Sequence, residues 1–172
     1  IKLSCTIGAS FGCPFEGEVS TDRVVSLAKQ LIDGGAAEVG LADTIGAAVP
    51  TQVSNLIKRV RHTVGNDIGI GCHLHNTRNT GFANAASAAI AGVEFLDASI
   101  GGIGGCPFAP RATGNIATED LCFMLRNMGF KTGVDIEKLI AVAKWTEQFF
   151  ENPLPGQVMK AGLFPEVANL KT

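Results

Sequence analysis

Two histidines separated by one residue stand in the run Cys72-His73-Leu74-His75-Asn76. In an extended strand successive side chains point to opposite faces, so both imidazoles share one face and Leu74 takes the other. Neutral imidazole is a good ligand for divalent transition metals, and two rings on one strand face can take neighbouring positions around one ion. The alternative is a pair of polar residues at a strand end, bonded to backbone or water. Further along, Gly101-Gly102-Ile103-Gly104-Gly105 leads into Cys106. Most of that loop lacks Cβ, so its backbone can approach a ligand closely. The thiol is then either an acid–base group or a packed loop cysteine, and the same Gly-Cys-Pro-Phe letters at residues 12–15 show that the tetrapeptide is not diagnostic by itself. Asn115 offers an amide oxygen to an oxygen-rich metal shell, or a turn residue bonded to its own backbone. Asp43, in Asp43-Thr44-Ile45-Gly46, suits a metal ligand, a substrate-orienting carboxylate or a turn cap. Glu119 and Asp120 fall in the first turn of a helical stretch, where acidic side chains favour the positive end of the dipole.

The elements that must position these residues follow from the apolar pattern. Runs rich in β-branched or apolar residues at 1–6, 37–43, 68–75 and 93–100 are strand candidates. Between them, residues 21–33, 51–64 and 80–91 are amphipathic and close on Gly34-Gly35, Gly65 and Gly92, which marks helices. Each strand therefore precedes a helix, the unit of a parallel sheet covered on both faces, and the class is α/β. Two more helices are expected at 118–128 and 135–150, after which Asn152-Pro153-Leu154-Pro155-Gly156 breaks the pattern. Four units amount to about half of an eight-stranded barrel, which takes ~250 residues. Residues 1–150 are thus expected to form half of a barrel, with 151–172 as a tail. A doubly wound sheet is the rival, and its G-x-G-x-x-G turn is missing after the first strand. In a parallel barrel the strand exits gather at one end, where active sites sit, and Asp43, His75 and Asp97 all lie at such exits.

The 172 residues are 46% hydrophobic and 17% charged, with a net charge of −2. Such a chain folds around a core, and it has no basic excess to attract nucleic acid. No apolar run reaches the ~18 to 20 residues of a membrane span. Five cysteines, an odd number without C-x-x-C spacing, point to a reducing compartment and not a secreted protein; the expected location is the cytoplasm if the protein is bacterial, with the mitochondrial matrix open if it is eukaryotic. The chain opens on Ile1 in what reads as a buried strand, so a fragment lacking the first half of the barrel is expected.

Taken jointly, Gly12-Cys13-Pro14-Phe15-Glu16-Gly17, Asp43-Thr44-Ile45-Gly46, His73-Leu74-His75-Asn76-Thr77, Gly104-Gly105-Cys106-Pro107-Phe108-Ala109 and Gly114-Asn115-Ile116-Ala117-Thr118-Glu119-Asp120 closely resemble 3-hydroxy-3-methylglutaryl-CoA lyase in order and separation. The likeness runs from Ile1 to about Phe150, and the cysteine loop is its most specific part. It implies strands five to eight of a (β/α)8 barrel, with Mg²⁺ or Mn²⁺ held by His73, His75 and Asn115, and Cys106 as the catalytic cysteine. Asp43 then orients a metal ligand or assists proton transfer, and Glu119 supports the site from behind. The implied reaction cleaves a 3-hydroxy-3-methylglutaryl-CoA-like thioester to acetyl-CoA and acetoacetate, so an acyl-CoA is the expected partner. Asn76 stands where these lyases commonly carry Asp, and Arg78 where an aromatic residue is common. These departures leave a citramalyl-CoA-type lyase as an alternative, beside a Claisen-type synthase or aldolase and an inactive fragment or association module. An open half-barrel exposes two sheet edges, so a homo-oligomer, or association with the missing half, is also expected.

Overall fold

A computed structural model of the chain describes residues 1–105 and 114–164. The described residues divide into two compact units, one comprising 1–98 with 104–116 and the other 99–103 with the residues from 117 onward.

The first unit repeats strand and helix: β1 (Ser4–Ile7), α1 (Thr21–Asp33), β2 (Glu38–Asp43), α2 (Pro50–Val64), β3 (Gly69–Leu74), α3 (Gly81–Ile90) and β4 (Phe95–Asp97). Every pairing is parallel, and the strands neighbour one another in chain order, β1-β2-β3-β4. A doubly wound sheet reverses its strand order at a switch point, whereas an unbroken sequential order is an arc of barrel wall. α2 starts at Pro50, one residue earlier than the pattern suggested, because proline at the first helical turn gives up an N–H that has no partner there.

Parallel register sorts the side chains onto two faces. Val39, Leu41 and Asp43 of β2 align with Ile70, Cys72 and Leu74 of β3, and all six are buried. Bulky apolar strand faces of this kind are the ones that helices cover in βα units, and α1 and α2 bury Val24, Ala28, Val53 and Ile57. The other face carries Gly40 beside Gly71, with Ala42 beside His73 and His73 beside Asp97. Its small residues make room for large neighbours: a Cβ on Gly71 would overlap the Phe95 ring from β4.

Two expectations about strands need correction. The opening strand is not buried as a whole. Ser4 and Thr6 are exposed and only Ile7 is fully covered: alternation puts Ser4 and Thr6 on the face of Gly40, the partner of Thr6, and no described side chain buries that face of β1. The fourth strand is three residues long, because Ile100–Gly102 turns into a 3₁₀ helix with Gly101 at φ 60°, a conformation an extended strand cannot include.

The second unit holds α4 (Thr118–Asn127), α5 (Ile136–Glu147) and the short α6 (Val158–Ala161). Asp135 caps α5 by accepting from the Lys138 amide at 3.2 Å. Cys122, Ile136, Ile140, Ala143, Leu154 and Met159 form this unit's core. Residues after 150, expected as a tail, thus supply two core side chains and a helix. Asp120 holds them by accepting from the Gln157 amide at 2.9 Å and the Val158 amide at 2.6 Å. No helix among the described residues is long and apolar enough to cross a membrane.

Candidate active site

The site grows from the exit of β3. His73 lies on the small-residue face, and His75 follows two residues on, just beyond the strand. Their ring centroids are 5.0 Å apart with planes at 79°, so the rings converge as the alternation required. His75 is buried, and its Nδ1 lies 2.6 Å from the Thr44 carbonyl oxygen. A carbonyl only accepts, so Nδ1 is the donor in this bond and Nε2 is the ring nitrogen left to face a ligand. His73 is half-buried, and its pKa is pushed down by that burial first and by the neighbouring His75 second, while Asp97 works the other way. The net effect favours the neutral ring, the form that binds metal.

Asn115 is brought to the pair by backbone pairing across 40 residues of sequence. The Asn76 amide donates to the Gly114 carbonyl at 3.1 Å and the Ile116 amide to the Leu74 carbonyl at 3.4 Å. These bonds set Asn115 directly opposite His75 in an antiparallel bridge, where facing side chains emerge on the same side. Gly104, at φ +95°, lies against the Asn115 amide, where a Cβ would come within 3.0 Å of Nδ2. Two imidazoles and an amide side chain form a mixed nitrogen and oxygen donor set, which suits a divalent cation. Among the described residues no group of three or more His, Cys, Asp and Glu side chains is placed to hold a metal ion.

Asp43 does not join this cluster. Its register partner is Leu74, on the helix-facing side of the sheet, away from His73. Its carboxylate accepts from the Ala47 amide at 2.9 Å and the Ala48 amide at 3.0 Å, the bonds of a turn cap. Glu119, in the second unit, is wholly buried and accepts from the Gly101 amide at 3.0 Å. It therefore braces another segment as well as its own helix start, where its own backbone amide also bonds it, and burial raises its pKa. Cys106 lies outside the described residues. Its neighbour in composition, Cys13, pairs its backbone with Gly17 at 2.8 and 3.0 Å in a tight turn. Cys72 is buried, and its thiol is pushed up to about 12 by that burial and then by Asp97, so it stays protonated beside His73.

Sequence reasoning overlooked the Thr44 carbonyl, which orients His75, and the position of Asp97 beside His73. Neither has a local signal. The first is a backbone atom, and the second follows only from the β3–β4 register.

A family model described as HMGL-like matches residues 3–145. The (R)-citramalyl-CoA lyase of Chloroflexus aurantiacus is 50% identical over 99% of this chain and 54% of its own length. The hydroxymethylglutaryl-CoA lyase of Bacillus subtilis is 43% identical over 86% of this chain and 49% of its own. A solved HMG-CoA lyase from Acinetobacter baumannii, in complex with coenzyme A and 3-methylmalate, superposes with a TM-score of 0.89 at 38% identity, covering 95% of this chain and 53% of that one. The chain spans about half the length of the curated relatives it matches, and its four sequential parallel strands are part of a TIM barrel. With the family model covering more than four-fifths of the residues and two curated lyases above 40% identity, the chain belongs to the HMGL-like family.

Proposed function

We propose that this chain supplies strands five to eight of a (β/α)8 lyase that cleaves a tertiary 3-hydroxyacyl-CoA to acetyl-CoA and a keto acid. The observation that carries the reading is the pair of converging imidazoles with Asn115 set opposite His75, in a chain of this family. The edge strands β1 and β4 are where the remaining barrel strands would pair, from the same polypeptide or a partner.

His73, His75 and Asn115 would hold Mg²⁺ or Mn²⁺, with further ligands from the rest of the barrel. A divalent cation in this place acts as a Lewis acid toward substrate oxygens and as a template for their orientation. His75 is preset for that duty by the Thr44 carbonyl, which engages Nδ1 and so aims Nε2 toward a ligand. In the reaction a general base takes the substrate hydroxyl proton, the bond between the hydroxyl-bearing carbon and the thioester α-carbon breaks as that carbon becomes a carbonyl, and the α-carbon leaves as an enolate that must be protonated. Cys106, delivered by the glycine-rich loop, is the proposed proton donor to that carbon.

The acyl group is proposed to be citramalyl, giving acetyl-CoA and pyruvate. The 50% identity to a citramalyl-CoA lyase, against 43% to a hydroxymethylglutaryl-CoA lyase, supports this choice, as do Asn76 and Arg78 beside the histidines. The two candidate substrates differ by one methylene, which a pocket discriminates by about 10- to 200-fold. Acetyl-CoA release is measured for the complete protein with Mg²⁺ or Mn²⁺ and each thioester. Faster cleavage of citramalyl-CoA is expected, and faster cleavage of hydroxymethylglutaryl-CoA reverses the substrate choice. Release from neither overturns the lyase reading. Cys106→Ala is expected to lower kcat by ~10²-fold or more while Cys13→Ala does not, and equal small effects would remove Cys106 from the chemistry.

A further inference from the structure

On the small-residue face of the sheet two glycines stand side by side, and side chains from the flanking strands fill the room they leave. Thr6 of β1 is the register partner of Gly40 in β2, Gly40 that of Gly71 in β3, and Gly71 that of Phe95 in β4. A Cβ on Gly40 would come within 2.8 Å of the Thr6 hydroxyl, and one on Gly71 would overlap the Phe95 ring. The ring therefore lies where a side chain of residue 71 would stand. Side chains on one strand face recur every second residue at a rise of about 3.3 Å per residue, so this place is ~6.6 Å below His73 on the same face. One level up, His73 has the small Ala42 on one side and Asp97 on the other. The floor beneath the histidine is thus an aromatic ring, half-buried among the described residues and supplied by the neighbouring strand.

We propose that Phe95 is a specificity-determining residue: its ring is the seat for the alkyl branch on the hydroxyl-bearing carbon of the substrate. This deepens the reading of the chain as part of a tertiary 3-hydroxyacyl-CoA lyase and rests on it. In that reading the hydroxyl-bearing carbon is bound beside His73 through its oxygen, and it carries three further branches: a thioester arm, a carboxylate arm and a methyl group. The two arms end in polar groups, which lose hydration without a hydrogen bond in return when pressed onto an aromatic ring, and a carboxylate also meets the negative face of the π-system. The methyl group is the branch that gains from the ring, since its transfer out of water is favourable. The depth of the seat is limited from below. The ring already lies against Gly71, so close that no Cβ fits between them, and a close-packed interior does not yield room for an extra methylene without displacing its neighbours. A methyl branch is accommodated, whereas an ethyl branch must push the ring toward the backbone of β3.

The complete protein is compared with Phe95→Leu and Phe95→Val, which lower the floor and keep it apolar. Acetyl-CoA release is measured for citramalyl-CoA, for its homologue with ethyl in place of methyl, and for hydroxymethylglutaryl-CoA, which lengthens the carboxylate arm instead. Wild type is expected to cleave the methyl substrate at least ~10-fold better in kcat/KM than the ethyl homologue, the low end of what one methylene is worth in an apolar pocket. In both variants the ethyl-to-methyl ratio is expected to rise about 10-fold, while the hydroxymethylglutaryl-to-citramalyl ratio stays within about twofold. A merely structural role lowers kcat/KM for all three thioesters alike, so unchanged ratios overturn the inference. A rise confined to the hydroxymethylglutaryl ratio also overturns it, because the carboxylate arm then lies over the ring. Should Phe95→Val fail to fold, Phe95→Leu decides. If wild type cleaves none of the three, the lyase reading falls, and calorimetric binding of free citramalate and its ethyl homologue to wild type and Phe95→Leu decides the seat separately. A raised ethyl-to-methyl affinity ratio in Phe95→Leu upholds it, and an unchanged ratio or no binding overturns it.

Discussion

Asp43 is the residue for which a turn cap and a catalytic carboxylate predict opposite pairs of measurements. Its two oxygens accept from the amides of Ala47 and Ala48, at 2.9 and 3.0 Å, in a loop where Ala48 is fully buried and Ala47 half-buried. Asp43→Ala removes both acceptors. The Ala48 amide cannot turn to water, whereas the Ala47 amide recovers part of its loss by solvation. A hydrogen bond to a charged group contributes about 1.5–3 kcal/mol, so one bond in full and one discounted give a loss of ~2–5 kcal/mol. For a domain of this size that lowers Tm by on the order of 10 °C. Asp43→Asn keeps one acceptor oxygen and turns its NH₂ toward the other amide, so roughly half the loss, ~1–3 kcal/mol, is expected. Calorimetric melting of the complete protein gives the stability, and acetyl-CoA release at a temperature well below both transitions gives kcat. The cap predicts a graded stability loss, Ala greater than Asn, with activity falling no further than loop misplacement requires. If instead Asp43→Ala melts within ~0.5 kcal/mol of wild type, the range of an ordinary surface substitution, and loses activity by 100-fold, the carboxylate acts in the chemistry and the cap argument is refuted.

Gly71→Ala places a methyl group inside the Phe95 ring and is expected to cost at least ~1–3 kcal/mol by denaturant melting, with Gly71→Ala/Phe95→Leu recovering part of it; an unaffected single variant would refute the face assignment. Glu119 has a raised folded-state pKa, so its contribution is fully present below the unfolded value of 4.5 and is lost as the pH rises through the higher folded value. Glu119→Gln keeps an acceptor for Gly101 without the buried charge. Its Tm relative to wild type should therefore rise as the pH is raised above about 4.5, and a pH-independent difference would refute the burial argument. Asp120→Ala leaves the Gln157 and Val158 amides without their carboxylate, and protease should then cut the chain after Phe150 faster; unchanged cleavage would mean that Leu154 and Met159 hold that segment alone.

The periodicities encode local geometry, and they sufficed for several conclusions. Alternation placed His73 and His75 on one face, and the strand and helix pattern specified α/β units, because both depend on φ and ψ of neighbouring residues. The motif around Cys106 carried the family resemblance for the same reason: it is a continuous string. What required the folded chain was the phase of one segment against another. Register decided that Asp43 looks toward the helices while His73 looks the other way, a choice that a one-residue slip would invert. It also put Asp97 beside His73 and drew Asn115 opposite His75 from 40 residues away. Glu119 read as a helix-dipole carboxylate until its distant partner, the Gly101 amide, gave it another duty. The segment after Phe150 read as a tail because proline and glycine stop helices, yet those residues say nothing against burying Leu154 and Met159. Hydrogen bonds to backbone carbonyls, such as those of His75 and Arg78 to Thr44–Gly46, leave no trace in residue type at the acceptor, since every residue carries the same carbonyl.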